Sequence, residues 1–149
     1  YRPFFYPLDS VSNWNKIYGK RGLIQFQCVV PKTDDNRPIS EILGVVVETG
    51  RASFLAVLKE FGTIASPGLL SFPRPGITLC LDFPMEGEVT VNLMKRLDEM
   101  TREFGGAIYP AKDAFMSAHS FEQYFPALPE FERLIDPKFS SSFWRRVRG

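Results

Sequence analysis

Residues 22–31 read Gly-Leu-Ile-Gln-Phe-Gln-Cys-Val-Val-Pro, and this stretch decides the fold. Successive side chains of a β-strand point to opposite faces of a sheet, so residues two apart share a face. The stretch therefore predicts a strand with one apolar face and one face that carries both glutamines. The first face holds Ile24, Phe26, Cys28 and Val30, and the second holds Leu23, Gln25, Gln27 and Val29.

Downstream of this strand, helical and strand periodicities alternate. Apolar residues at helical spacing predict helices over residues 39–49, with Ser40 as the cap and Gly50 as the end, and over residues 88–104. Period-2 patterns predict strands over residues 52–59, 77–83 and 107–109. The order β-α-β-β-α-β over residues 22–110 predicts an α+β fold of the ferredoxin-like split βαβ type, an antiparallel sheet with helices on one face.

The segments on either side of this domain predict a lead-in and a helical extension. Residues 1–21 are irregular, apart from one short helix over residues 10–17 that Asp9-Ser10 would cap. Residues 111–149 predict short helices over 114–124, 129–134 and 142–147, of which the last ends in solvated arginines, Arg145, Arg146 and Arg148. Because the chain starts on the aromatic Tyr1 rather than Met, we expect a longer protein with another domain upstream.

Composition and charge exclude several classes of function. The 149 residues are 44% hydrophobic and 23% charged, which is typical of one globular domain, and no apolar run approaches the roughly 20 residues of a membrane span. A net charge of +1 argues against a dedicated nucleic-acid binder. Two cysteines and a single histidine, His119, exclude an internal zinc ribbon and a disulfide-stapled scaffold, so no metal is expected and His119 is assigned to a helix surface. No signal peptide is visible, which favours a cytoplasmic or peripherally membrane-associated protein.

The helix-free face of the predicted sheet is the candidate binding surface. Its residues are mainly apolar, with a few polar groups and little charge, as in the lining of a ligand pocket. The alternative is an ordinary sheet face whose amides point into water. The assignment depends on register, because a shift of one residue exchanges the two faces. The predicted face holds Leu23, Gln25, Gln27, Val29, Leu55, Val57, Lys59, Thr78 and Cys80.

Several short stretches, taken in their order and spacing, resemble the C-terminal half of the decaprenylphosphoryl-β-D-ribose 2-prime-oxidase family, which are FAD-linked oxidases of the vanillyl-alcohol oxidase type. The stretches are Tyr6-Pro-Leu-Asp9, Trp14-Asn15, Tyr18-Gly19, Ile24-Gln-Phe-Gln27, Ser53-Phe-Leu55, Lys59, Phe61-Gly62, Leu70-Ser-Phe-Pro73, Pro75-Gly76, Cys80-Leu-Asp-Phe-Pro84, Glu103-Phe-Gly-Gly106 and Tyr109-Pro-Ala-Lys-Asp113.

The resemblance implies a substrate domain that lies over a flavin, with most of the FAD held by a domain upstream of Tyr1. In this family the ribose C2 hydroxyl of a polyprenyl-phospho-sugar is oxidised by hydride transfer to the flavin. A partner keto-sugar reductase then completes a net epimerisation that feeds cell-wall arabinan synthesis. The isolated 149 residues are accordingly expected to be inactive.

The resemblance also implies roles for individual residues. Lys112 matches a catalytic lysine that reaches both flavin and substrate, and Tyr109 matches a tyrosine beside the flavin. Cys80 would line the substrate side, and the sequence shows no neighbour that would activate its thiol. The implied substrate-binding residues are Gln25, Gln27, Lys59, Phe61, Thr78 and Cys80.

One departure from the family pattern keeps other functions open. The family has Trp-Asn where this chain has Ile77 and Thr78, and loss of that amide changes how a sugar or lipid is held. The alternatives are an FAD-linked oxidase of another sugar or alditol, and a ferredoxin-like ligand-binding module with no redox role.

Overall fold

The computed structural model describes residues 2–5, 12–51 and 53–148. Four strands and six α-helices form in these ranges, together with two short 3₁₀ helices at Trp14–Tyr18 and Pro110–Lys112. In chain order the others are α1 (Arg2–Phe5), β1 (Leu23–Val30), α2 (Arg37–Glu48), β2 (Ala56–Phe61), β3 (Gly76–Pro84), α3 (Glu88–Glu103), β4 (Ala107–Ile108), α4 (Ala118–Tyr124), α5 (Leu128–Glu132) and α6 (Ser142–Arg148).

The four strands form one sheet in the order β2-β3-β1-β4. Every neighbouring pair is antiparallel, although β1 and β2 are joined through α2 and β3 and β4 through α3. This topology confirms the predicted α+β, ferredoxin-like fold with a helical C-terminal extension. The strand quoted first from the sequence, β1, is central, because it pairs with β3 on one side and β4 on the other.

The helices cover the face of the sheet that carries Cys28. The Cys28 side chain contacts Thr101 of α3, and its register partner Leu79 is buried with it. Helix α2 contributes Ile42 and α3 contributes Leu97, both with no exposed surface. The apolar half of the β1 alternation is therefore the core half, and removal of each such side chain from water contributes about 1.5–3 kcal/mol.

Two predicted boundaries in the sheet domain were wrong. Helix α2 begins at Arg37 rather than near Ser40, because Thr33 and Asp35 accept the Arg37 backbone N–H and Pro38 fits a first helical turn. Strand β2 runs from Ala56 to Phe61 and not over 52–59. Before it, the Ser53 hydroxyl takes the place of a strand carbonyl and accepts the backbone N–H of Asp82 at 2.8 Å.

The flanking segments also differ from the prediction. Arg2–Phe5 form a helical turn where irregular chain was expected, and the expected helix at 10–17 is a 3₁₀ helix at Trp14–Tyr18, with Asp9 and Ser10 outside the described residues. Helix α4 begins at Ala118 rather than at 114, because Asp113 accepts the backbone N–H groups of Phe115 and Met116 in a turn. Ser117 then caps the helix.

The C-terminal extension packs on α3 through a hydrogen-bonded carboxylate. Asp98 of α3 accepts hydrogen bonds from Ser120 at 2.5 Å and from the Tyr124 hydroxyl at 2.6 Å. Burial and the neighbouring carboxylate both raise the pKa of Tyr124. Within the described ranges, every helix is too short or too polar to cross a bilayer.

The close approach of the chain at Gly106 leads to a stability prediction. A Cβ at this position would lie 2.4 Å from the Val29 carbonyl oxygen, whereas one at Gly44 in α2 would meet nothing within 4 Å. We expect Gly106→Ala to lower the free energy of unfolding by about 1–3 kcal/mol. The matched control Gly44→Ala should raise it by about 0.5–1 kcal/mol, and urea titration measures both. Equal effects of the two substitutions would contradict this packing.

Burial of Cys28 leads to a pH prediction. Removal from water raises the pKa of its thiol from 9.0 to about 12. The folded chain therefore holds this proton more tightly than the unfolded chain does, so the contribution is complete below pH 9 and is lost as the pH rises towards 12. Between these values the free energy of unfolding should fall more steeply in the unsubstituted chain than in Cys28→Ala. Parallel slopes in urea titrations would show that this thiol is not buried as described.

Candidate functional site

Strand register brings most of the predicted site residues onto the helix-free face. Gln27 lies opposite Cys80, which lies opposite Val57, and one pair further along Thr78 lies opposite Lys59. This is the grouping that the alternation predicted. Leu55 is an exception, because it precedes β2 and does not join the paired face.

The segment after β4 brings a cation onto this face. The backbone N–H of Tyr109 donates to the Gln27 carbonyl at 2.8 Å, which keeps the chain beside β1 as it leaves the sheet. Pro110–Lys112 then turn as a 3₁₀ helix. The Lys112 ammonium donates to the Cys80 sulfur, with Nζ and Sγ 3.1 Å apart.

The contact between Lys112 and Cys80 joins residues that are distant in the sequence. The sequence shows no neighbour that would activate this thiol, and 32 residues separate it from the lysine. In the fold the ammonium is its direct partner. Cys80 is buried with 8% of its surface exposed, whereas Lys112 is partly exposed, so the pair lies where the buried face meets the solvent.

The two glutamines are held by neighbours on the same face. Gln27 Nε2 donates to the Thr78 hydroxyl at 3.1 Å, and Gln25 Nε2 donates to Asp82 Oδ1 at 3.0 Å. Each amide nitrogen is therefore engaged within the sheet. The remaining carbonyl oxygens are acceptors, which suits a ligand that donates hydrogen bonds, such as a hydroxyl.

Sequence reasoning missed Asp82 as a member of this site. Its carboxylate accepts from Gln25 and, at 3.4 Å, from the Tyr18 hydroxyl, and only 1% of the residue is exposed. Burial raises the pKa of Tyr18, and the Asp82 charge adds to the rise. The signal was present in the alternation, since Asp82 is a charged residue two positions from Cys80 on a face with little other charge.

Aromatic rings form one wall beside the site. Phe72, from the long loop between β2 and β3, has its ring centroid 4.9 Å from that of Tyr109 and 6.0 Å from that of Phe61. Phe72 is buried, whereas the other two rings are partly exposed. The sequence predicted no role for Phe72, although it lies in the stretch Leu70-Ser-Phe-Pro73 that carries part of the resemblance.

The structure does not bring every predicted residue into contact. Lys59 is exposed on the edge strand β2, where it lies opposite Thr78, and its ammonium is not among the groups that bond to Lys112 or Cys80 in the described residues. His119 is exposed on α4, as expected. The C-terminal arginines are not merely solvated as predicted, because Arg146 pairs with Asp113 and Arg148 pairs with Glu122 and Glu132.

Fold and geometry define an α+β domain with a lysine and a cysteine in contact on the helix-free face of the sheet. Two glutamine amides on the same face are hydrogen-bonded to neighbouring side chains. The chain is 37% identical over 150 residues to the decaprenylphosphoryl-beta-D-ribose oxidase of Mycolicibacterium smegmatis (strain ATCC 700084 / mc(2)155), an alignment that covers 97% of this chain and 32% of that protein. It is 30% identical over 131 residues to an uncharacterized protein in the mprA 5′ region of Streptomyces coelicolor, covering 85% of this chain and 35% of that one. No protein-family model matches the chain.

These comparisons confirm the resemblance that the sequence motifs carry, because the identity extends over nearly the whole chain. The chain spans about a third of the length of the curated relatives it matches. The roles of individual site residues stay predictions.

The hydrogen bond between Gln27 and Thr78 leads to a stability prediction. Thr78→Val keeps the side-chain shape but leaves the buried Gln27 amide without its acceptor. We expect the free energy of unfolding to fall by about 1–3 kcal/mol. The exposed Thr63→Val should change it by less than about 0.5 kcal/mol. If urea titration gave indistinguishable values for the two variants, the amide would not depend on Thr78.

Proposed function

We propose that this chain is the substrate-binding part of an FAD-dependent oxidoreductase that oxidises a sugar hydroxyl, the ribose C2 hydroxyl of a polyprenyl-phospho-ribose. The observation that carries the proposal is the Lys112 ammonium held against Cys80 beside Gln27. The 37% identity to a named ribose oxidase supports the same reading.

The residues of the site fit a flavin edge. Tyr109 offers a partly exposed ring that packs on the buried Phe72, and Lys112 supplies a positive charge in the turn that follows it. Tyr109 and Lys112 would therefore hold the ring system, while an upstream domain would hold the remainder of the FAD. When bound, the flavin accepts the hydride that leaves the sugar carbon.

The chain's own residues would position the sugar. Lys112 would orient the reacting hydroxyl and balance negative charge that develops beside it. Gln25 and Gln27 would accept hydrogen bonds from neighbouring hydroxyls through their carbonyl oxygens. Thr78 would set the Gln27 amide, and Cys80 would line the floor of the pocket.

Two residues at the edge of the face suit the remainder of the substrate. Lys59 is exposed and would meet the phosphate, for which an ammonium is a suitable point charge. Phe61 would pack on the ligand from the aromatic wall. In this proposal the keto-sugar product passes to a partner reductase, and the net epimerisation supplies a cell-wall arabinan precursor.

The decisive experiment uses the product of the complete reading frame that encodes this chain. Its flavin absorbance should bleach when a polyprenyl-phospho-ribose is added without an electron acceptor. Lys112→Met should slow the bleaching by roughly 100-fold or more, because a charge-stabilising donor is lost. The matched control is Lys138→Met, which removes an exposed lysine distant in sequence from Lys112. This variant should bleach at the unsubstituted rate.

Other results would point elsewhere. A flavin spectrum that bleaches only with another sugar or alditol would keep the oxidase and change its substrate. A colourless protein that takes up no added FAD would favour a ligand-binding module without a redox role. Stoichiometric flavin on the isolated 149 residues would contradict the need for an upstream domain.

A further inference from the structure

The turn that carries Lys112 is fixed by the residue that follows it. Asp113 is nearly buried, with 7% of its side chain exposed. Its Oδ1 accepts the backbone N–H groups of Phe115 at 3.0 Å and Met116 at 2.8 Å. One carboxylate therefore folds the chain back immediately after the lysine.

The second oxygen of this carboxylate is bound from the far end of the chain. Arg146 of α6 donates through Nη2 to Asp113 Oδ2 at 2.6 Å. The same guanidinium donates through Nη1 to the Ala114 carbonyl. Arg146 therefore binds both a side chain and the backbone of the turn through two nitrogens of one guanidinium. A lysine ammonium, which is a compact point charge, lacks this geometry.

Helix α6 is itself packed against the other helices of the extension, so the position of Arg146 is fixed. Val147 has no exposed surface, and the Trp144 ring packs against those of Phe121 and Phe131. Arg148 pairs with Glu122 of α4 and with Glu132 of α5. These contacts join α6 to the extension that packs on α3.

From this continuous set of contacts we infer that Arg146 is a positioning residue for the site: through Asp113 it holds the Lys112 ammonium at Cys80. The inference rests on the proposed function for its consequence in catalysis. Its structural part, that α6 fixes the turn at residues 110–116, is independent of the reaction. The helical extension would then contribute to the candidate site, because it positions Lys112.

The electrostatics of Asp113 give the positioning a pH dependence. Burial raises the pKa of this carboxyl, Asp98 of α3 adds to the rise, and the charge of Arg146 opposes it, as do the N–H groups of Phe115 and Met116. Loss of Arg146 would raise the pKa further. As the pH falls, Asp113 would then be protonated earlier, and the turn would loosen at a higher pH.

The test uses Arg146→Ala, Arg146→Lys and Arg145→Ala in the complete, flavin-loaded protein. Arg145 is the matched control, since it is exposed on the same helix and its guanidinium donates to the exposed Ser140 rather than to the turn that carries Lys112. Arg146→Ala should slow flavin bleaching on the order of 10- to 100-fold, because a small misplacement of a catalytic group has effects of this size. Arg146→Lys should recover part of that loss, and Arg145→Ala should bleach at the unsubstituted rate.

Two further readouts separate positioning from a general loss of stability. Amide hydrogen exchange at residues 112–116 should accelerate in Arg146→Ala and not in Arg145→Ala. The acid limb of the bleaching rate should move to higher pH in Arg146→Ala. If Arg146→Ala fails to fold, Asp113→Asn replaces it, since the amide oxygen can still accept from Phe115 and Met116 while the ion pair is lost.

The outcomes distinguish this inference from the proposed function. Unsubstituted rates and unchanged exchange in Arg146→Ala, or in Asp113→Asn where that variant replaces it, would overturn the positioning role. Slow bleaching without faster exchange at 112–116 would overturn it as well. If Lys112→Met bleached at the unsubstituted rate, the proposed catalytic role of the lysine would be wrong. Faster exchange in Arg146→Ala would then show only that Arg146 stabilises the turn.

Discussion

The pairing of β1 with β3 is the constraint on which the remainder of the structure depends. It sets Gln27 opposite Cys80 and Cys28 opposite Leu79, so each strand divides its residues between the core and the helix-free face in the same way. A shift of one residue would turn the glutamines into the core and expose Cys28. On its other side β1 pairs with β4, and there only a residue without a side chain, Gly106, passes so close to the Val29 carbonyl.

The sheet forms the base of the candidate site, and the segment after β4 supplies the residues that lie over it. β4 ends after two residues, and the chain turns at once onto the helix-free face, where Lys112 reaches Cys80. The extension then continues over α3, fixed by Asp98, and returns through α6 to bind Asp113. One stretch of chain thus places the lysine and also holds the turn that carries it.

The sequence was sufficient for whatever depends on period and order. The fold followed from the alternation in β1, from the apolar residues at helical spacing in α3 and from the βαββαβ order. The same alternation predicted that Gln27, Thr78 and Cys80 share a face. The sequence was not sufficient for contacts between residues distant in the chain. The start of β2 depends on a hydroxyl of Ser53 that binds β3, and the pair formed by Lys112 and Cys80 joins elements that no local pattern connects. Asp82 follows the same alternation as Thr78 and Cys80, but its place beside Tyr18 and Gln25 forms only in the fold.

The proposed function requires that the ligand binds on the helix-free face, where Lys112 reaches Cys80. Lysine acetylation footprinting of the complete protein, with and without FAD and a polyprenyl-phospho-ribose, tests it most directly. Lys95, exposed on α3 on the helical side, is the internal reference. We expect the ligand to slow acetylation of Lys112 and Lys59 and to leave that of Lys95 unchanged. Protection of Lys95 with unchanged labelling of Lys112 would place the ligand on the helical face and contradict the proposed function.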